Sequence, residues 1–259
     1  MIRLDKTTLL LCTCLLAIPA TAALAGEARS GYEYIKPASR AMQDDEFENP
    51  GMLAVERGQH LFNNKQNGAG KACAECHDRD GATLNTMNLA RYPVYNEDAA
   101  EIVTLQKQIS RCRSNNSGSK ILPADHPDLV DLEAFVRKRA IGEVVNVQTD
   151  GPVAALLHAG EKLYRTRYGL IDMACYQCHE IYPGQMIRGQ KISQGQGNGF
   201  PVYRLDTGEI TSLHQRIQQC LTLMRAEPFE SDSEEIKLLG LYIMSRSNGL
   251  RIETPAVRY

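Results

Sequence analysis

The residues best suited to chemistry are two copies of one cysteine–histidine motif, at positions 73–77 and 175–179. Both copies read C-x-x-C-H, as CAECH and CYQCH. In proteins with this pattern the two thiols bond covalently to haem vinyl groups, and the histidine takes an axial position on the iron. The sequence therefore predicts two covalently bound haem c groups, attached through Cys73, Cys76, Cys175 and Cys178, with His77 and His179 as axial ligands.

A zinc site and a redox dithiol are the competing interpretations of these motifs. Zinc sites built from two C-x-x-C pairs usually separate the pairs by about 15–20 residues, whereas the two motifs here are offset by 102 residues. A thioredoxin-type dithiol requires a βαβ setting, which the sequence does not predict. Haem attachment is the favoured interpretation.

The second axial ligand of each haem is the next question. Met87, Met186 and His214 are available, but only a cysteine occurs at matching positions after both motifs, as Cys112 and Cys220. We predict that these two thiolates bind the irons. A disulfide between them is the alternative, because an even number of cysteines is typical of disulfide-bonded exported proteins.

One arginine distinguishes the two halves of the chain. Arg216 precedes Cys220 by four residues, which places both side chains on one face of a helix, whereas the first half has Gln108 at the matching position. A guanidinium near a thiol favours the thiolate and offers paired donors to an oxyanion. The second half is therefore the predicted reactive half, although pairing with a haem propionate is an alternative role for any single arginine.

The chain contains an internal duplication of one sequence unit. Gly58 corresponds to Gly160 with the same offset of 102 residues as the motifs, and after them Cys112 corresponds to Cys220 with an offset of 108. The second unit therefore has six additional residues in the region 180–199, which includes a G-x-G-x-G loop and which we predict to be a flexible wall of an opening. Apolar residues at helical intervals predict helices over 97–112, 128–139 and 209–225, and a capping box formed by Ser231 and Glu234 predicts a further helix that opens there and runs through Arg246.

These patterns predict a mainly α fold, with two tandem cytochrome c-like domains related by duplication and an extended N-terminal arm. The predicted divisions are a signal peptide at 1–25, the arm at 26–50, the first haem domain at 51–148 and the second, with the active site, at 149–259. Two domains are compatible with a length of 259 residues.

Charge and targeting patterns restrict the partners and the compartment. The net charge is −2 and no long basic run occurs, so the sequence does not favour nucleic-acid binding. Residues 1–25 have a basic start, a short apolar core and the cleavage-like sequence Ala23-Leu24-Ala25. No later apolar run approaches the roughly 18 residues of a membrane span. We therefore predict a periplasmic protein without a membrane span in its mature form.

Taken together, the residues resemble the SoxA family, whose members are dihaem cytochrome subunits of the SoxAX L-cysteine S-thiosulfotransferase of sulfur oxidation. The resemblance extends over most of the mature chain. It is carried by both haem motifs, the pair Arg216 and Cys220, and the sequences MQDD at 42–45, NPGM at 49–52, FPVYR at 200–204, RAEPF at 225–229 and ETPAVR at 253–258.

The resemblance implies oxidative conjugation of thiosulfate to a cysteine of the SoxYZ carrier protein, in a heterodimer with the monohaem cytochrome SoxX. It implies that Cys112 binds the first iron opposite His77, and that Cys220 binds the second opposite His179. Cys220 would also be the active-site cysteine, which in that family is often found as a persulfide, and Arg216 and Arg246 would bind the sulfur anion. The alternatives are a tetrathionate-forming thiosulfate dehydrogenase, a non-catalytic dihaem electron carrier and a dihaem peroxidase.

Overall fold

The structure is a computed structural model that describes residues 27–65 and 70–259. The predicted signal peptide lies outside these residues. The described part is mainly helical, as predicted, with a few short strands. The helices are α1 (Pro37–Asp44), α2 (Met52–Asn63), α3 (Ala74–His77), α4 (Thr86–Leu89), α5 (Leu105–Ser117), α6 (Pro127–Lys138), α7 (Val153–Arg165), α8 (Leu213–Leu223) and α9 (Glu234–Ser245).

Each unit is built around two helices that cross in close contact. In the first unit α2 packs on α6, and in the second α7 packs on α9. A glycine lies at each crossing: a Cβ atom on Gly58 would lie 2.0 Å from the carbonyl oxygen of Asp131, and one on Gly160 would lie 2.4 Å from that of Leu238. Any side chain would push the helices apart, so the same physical requirement explains both glycines of the repeat.

Short antiparallel hairpins replace the first turns of two predicted helices. The helix predicted over 97–112 begins only at Leu105, and the helix predicted over 209–225 begins only at Leu213. The Thr104 side chain accepts a hydrogen bond from the Lys107 amide, and Ser212 forms a capping box with Gln215, so each helix starts where its N-cap lies. The strands are β1 (Val94–Asn96), β2 (Glu101–Val103), β3 (Met186–Ile187), β4 (Gln190–Lys191), β5 (Val202–Arg204), β6 (Glu209–Thr211) and β7 (Ala256–Arg258).

The C-terminal part of the chain joins the two units. One cluster of buried apolar side chains includes Phe62 and Phe135 from the first unit together with Leu241 and Met244 of α9. β7 extends the β5–β6 hairpin as a parallel strand. The last long helix is close to its predicted position, but its N-cap is Ser233 rather than Ser231. The predicted division at 148/149 therefore crosses a continuous core.

The N-terminal arm contains a 3₁₀ turn and helix α1, which the sequence did not predict. It is attached to the second unit: the Gln43 side chain accepts from the Val257 amide, and the Asn49 side chain donates to the Pro255 carbonyl. Within 27–65 and 70–259, no helix is both long and apolar enough to span a bilayer.

Candidate functional site

A large cavity in the second unit gathers the predicted reactive residues. Its volume is about 1470 Å³, which exceeds the roughly 300–1,000 Å³ of most small-molecule pockets. Apolar side chains such as Ile217, Leu239 and Ile243 form part of its wall. The motif residues Cys175, Cys178 and His179 line it together with Arg216 and Cys220.

His179 is held in one orientation by the chain that follows it. Its Nδ1 atom lies 2.8 Å from the carbonyl oxygen of Ser193, which makes Nδ1 the protonated nitrogen and leaves Nε2 as the free donor atom. The pKa of His179 is lowered to about 4, mainly by burial and in smaller part by the charges of Arg246 and Arg216, against the opposing effect of the hydrogen bond to Ser193. The imidazole is therefore neutral at pH 7, as an iron ligand must be.

Helix α8 places Cys220 against the motif. Burial raises the pKa of the Cys175 thiol to about 12, and the nearby Cys220 contributes to that rise. Burial is also the main cause that raises the pKa of Cys178, and Cys220 is the second. The three sulfur atoms thus lie within electrostatic reach of one another around one cavity. All the described cysteines are free, so the alternative of a Cys112–Cys220 disulfide is not realised.

Arg216 lies one turn before Cys220 on the cavity wall. Among the described residues its guanidinium makes one hydrogen bond, of 3.4 Å to Gln219, and no ion pair. A half-buried cation with so few protein partners has donors available for an anion. The sequence-based prediction that Arg216 and Cys220 share one face agrees with this arrangement.

Arg246 is placed differently. Its guanidinium donates a hydrogen bond to the hydroxyl of Tyr164, lies over that ring at 4.7 Å from the centroid, and pairs with Glu180 at 3.7 Å. It does not form part of the cavity wall. Its charge opposes the burial-driven rise in the pKa of Cys175 and adds to the burial-driven fall in the pKa of His179. Arg246 therefore influences the motif electrostatically without lining the cavity.

The other candidate axial ligands are less well placed than Cys220. Met186 lies on strand β3 at the cavity, with 59% of its surface exposed, and Met87 on α4 is 68% exposed. His214 faces a separate cavity of about 50 Å³ between the two units. There its Nε2 would lie 2.9 Å from a Cβ atom on Gly240.

The first unit repeats the arrangement of sulfur and histidine. Burial raises the pKa of Cys73, and the nearby Cys112 on α5 raises it further. Cys112 is half-buried, whereas Cys76 is exposed. The ring of His77 lies 6.2 Å from that of Phe62. Each lone cysteine is thus brought to the motif of its own unit.

The glycine loop at 195–199 packs closely against the site, which differs from the predicted flexible wall. Gly197, Asn198 and Gly199 are buried. A Cβ atom on Gly195 would lie 2.8 Å from Cγ of His179. The glycines of this loop therefore permit close packing against the motif histidine and the core.

Sequence reasoning missed two contributions to this site. Tyr34, Lys36 and Arg40 of the N-terminal arm line the cavity, although nothing in their spacing indicates that the arm reaches the second unit. The Ser193 carbonyl is a backbone group and leaves no signal in residue type. The G-x-G-x-G sequence was the one available sign of a close approach.

The residues at both motifs fit a covalently attached haem. Each motif supplies two thiols close to an adjacent histidine and a third sulfur. In the second unit the neutral imidazole, its carbonyl partner and the large apolar-walled cavity complete the fit.

Comparison with known proteins identifies the family. The family model described as the SoxA/TsdA cytochrome c domain matches residues 57–145 and 159–252. The chain belongs to the SoxA family. As a member of a cytochrome c family it carries covalently bound haem c.

Several relatives share most of their length with the chain. The L-cysteine S-thiosulfotransferase subunit SoxA of Pseudaminobacter salicylatoxidans is 40% identical over 90% of this chain and 81% of that protein. The subunit of the same name from Rhodovulum sulfidophilum is 38% identical, covering 90% and 80%. The crystal structure of SoxXA from P. pantotrophus contains a chain with 32% identity and a TM-score of 0.81, covering 89% of this chain and 86% of that one.

Proposed function

We propose that this protein is the SoxA subunit of an L-cysteine S-thiosulfotransferase, which conjugates thiosulfate oxidatively to a cysteine of the SoxYZ carrier protein. The observation that carries the proposal is the second-unit cavity, where Cys220 and the guanidinium of Arg216 meet a C-x-x-C-H motif. The names of the SoxA relatives and the likeness to the SoxXA structure support it.

Two haem c groups are proposed, one for each motif. Cys73 and Cys76 would attach the first, with His77 and Cys112 as axial ligands. The second would be attached through Cys175 and Cys178, with axial ligands His179 and Cys220. The proximity of each lone cysteine to its own motif supports these assignments.

In the proposed reaction Arg216 binds the oxygen atoms of thiosulfate and directs its terminal sulfur toward Cys220. Arg246 adds positive potential at the motif. A new sulfur–sulfur bond forms between the carrier cysteine and this terminal sulfur, and no bond of thiosulfate breaks. A carrier thiolate and the thiosulfate dianion together give a monoanionic S-thiosulfonate and two electrons; a carrier that enters as a thiol also releases one proton.

Haem c, when bound, supplies a one-electron acceptor for the electrons that this bond formation releases. A thiolate ligand donates electron density to iron and lowers its potential, whereas methionine raises it. Cys220 at the axial position would therefore favour chemistry on sulfur, with the electrons passing to a partner. We propose SoxX as that partner, in a heterodimer in the periplasm after cleavage of the signal peptide.

The test is a product assay with the mature protein, its SoxX partner, the carrier and thiosulfate. Mass spectrometry of the intact carrier should show one thiosulfate added to its cysteine, and mass spectrometry of this subunit should show two haems. Cys220→Ala should abolish the carrier product while both haem attachments persist.

The other outcomes identify the alternatives. Tetrathionate formed equally well without the carrier cysteine would indicate a thiosulfate dehydrogenase. Full turnover by the Cys220→Ala variant would indicate an electron carrier whose chemistry occurs elsewhere, and peroxide reduction by the isolated protein would indicate a peroxidase.

A further inference from the structure

The N-terminal arm is bonded to the loop that orients His179. The side-chain amide of Gln194 accepts a hydrogen bond from the Arg29 backbone N–H at 2.8 Å and donates one to the Glu27 carbonyl at 3.3 Å. The side-chain amide of Gln194 thus bonds to the backbone of Glu27 and of Arg29, two residues apart, as the backbone of a neighbouring strand would. The arm is a part of the second site's support.

Further contacts fix the same loop. Gln196 donates to the Gln194 side-chain oxygen at 3.2 Å, and the buried Asn198 donates to the Ser30 hydroxyl at 3.2 Å. Between them, Gly195 packs directly on the imidazole ring of His179. Residues 194–198 are therefore tied to the arm on one side and pressed against the histidine on the other.

The loop also carries the carbonyl group of Ser193, which accepts a hydrogen bond from Nδ1 of His179. Ser193 directly precedes Gln194, so the position of the Gln194 peptide determines where that carbonyl points. Hydrogen bonding of the non-ligating nitrogen orients a histidine ligand and increases its basicity. Any displacement of Gln194 is transmitted to His179 through a single peptide group.

The first unit lacks this support. It has no counterpart of the additional loop residues, and in the part of the unit that the structure describes the ring of His77 makes no hydrogen bond. Its described neighbour is the Phe62 ring. The duplication therefore provides an internal reference: the same motif, with and without a hydrogen-bonded histidine.

We propose that Gln194 is a positioning residue for His179, and that the N-terminal arm thereby sets the donor strength of this histidine at the second haem. The inference rests on the proposed ligation of that haem by His179. It gives the arm a role in setting the redox potential of the haem in the reactive unit.

The test is a spectroelectrochemical titration of the mature holoprotein with its partner, resolving the haems of the two units. Gln194→Ala should raise the midpoint potential of the second haem, because a less basic imidazole stabilises the oxidised iron less. The first haem should keep its potential. A merely structural role for Gln194 would not shift one haem selectively.

A second pair of variants tests the arm itself. Arg29→Pro removes the backbone N–H that Gln194 accepts and should shift the second haem in the same direction. Arg29→Ala retains that N–H and removes the side chain that pairs with Glu33 and lies over the Tyr34 ring; it should cause no shift. Gln185→Ala is the matched glutamine control, because Gln185 is exposed and its contact with this segment is made by its backbone carbonyl, which accepts from the Ile192 amide and is kept in the variant.

Unchanged potentials in both Gln194→Ala and Arg29→Pro would overturn the proposal, as would equal shifts in the two controls. If Gln194→Ala does not fold, Arg29→Pro decides alone. The result is separable from the proposed function, since loss or retention of carrier conjugation in Cys220→Ala is measured by mass and not by potential.

Discussion

Replacing Gly195 by alanine should weaken the second site far more than the addition of one methyl group suggests. Gly195 has a φ of 72°, in the left-handed region that costs other residues about 1–2 kcal/mol. The new Cβ atom would lie 2.8 Å from Cγ and 2.9 Å from Nδ1 of His179. Overpacking of this kind adds about 1–3 kcal/mol, so the expected loss in free energy of unfolding is about 2–5 kcal/mol.

Gly184→Ala separates the two contributions. Gly184 has a φ of 85°, and no atom lies within 4 Å of the position that a Cβ atom would take there. This variant should therefore lose only the free energy of unfolding that comes from the left-handed backbone conformation. The free energy of unfolding is measured by denaturant titration of the holoprotein, followed by far-ultraviolet circular dichroism. Gly195→Ala should be the less stable variant by about 1–3 kcal/mol.

The same clash should disturb the histidine itself. Because the ring of His179 must move to accept the methyl group, its hydrogen bond to Ser193 should lengthen and the absorption spectrum of the second haem should change. Gly184→Ala should leave that spectrum unaltered. Equal stability of the two variants, with identical spectra, would refute the packing of Gly195 on His179.

Three further predictions concern the chemistry and the pH response. Cys220→Ala should reduce carrier conjugation at least about 100-fold, a larger effect than Cys112→Ala, in an assay of the carrier mass. Arg216→Gln should raise KM for thiosulfate about 10- to 100-fold, as expected for loss of a charge-assisted hydrogen bond worth about 1.5–3 kcal/mol; an equal rise in Arg246→Gln would contradict the expectation that Arg216, which lies on the cavity wall, contributes more to anion binding than Arg246, which does not. Burial raises the pKa of Glu133 from 4.5 to about 7. Its neutral form is therefore favoured by folding, and stability that is fully present below pH 4.5 is lost as the pH rises through 7, by about 3 kcal/mol. Denaturation of Glu133→Gln over this range should show a flatter pH profile, and parallel profiles would refute the burial of this carboxyl.

The covalent motifs and the duplication could be predicted from sequence because they depend on residue type and spacing. Matching offsets identified Cys112 and Cys220 as equivalent, and the structure brings each to its own motif. The four-residue spacing of Arg216 and Cys220 specifies one helix face whatever the tertiary fold. These features require no knowledge of long-range contacts.

The features that the sequence did not predict arise from contacts between residues that are distant in the chain. The loop around Gly195 has the composition of a flexible segment, but His179 on one side and the arm on the other hold it in place. The arm's path to the second unit depends on pairings such as Gln43 with Val257, which are distant in sequence. The contacts of Arg246 with Tyr164 and Glu180 likewise join residues that are distant in sequence, and no spacing pattern indicates them.

The two units share a helix crossing and a set of sulfur and histidine residues, so a difference in reactivity must come from their surroundings. At the position of Gln108 the second unit has Arg216, a half-buried cation without an ion pair among the described residues. Burying a charge without a partner costs free energy. An anion beside Cys220, which we propose to be thiosulfate, would offset it, whereas the neutral Gln108 at the matching position of the first unit needs no such partner.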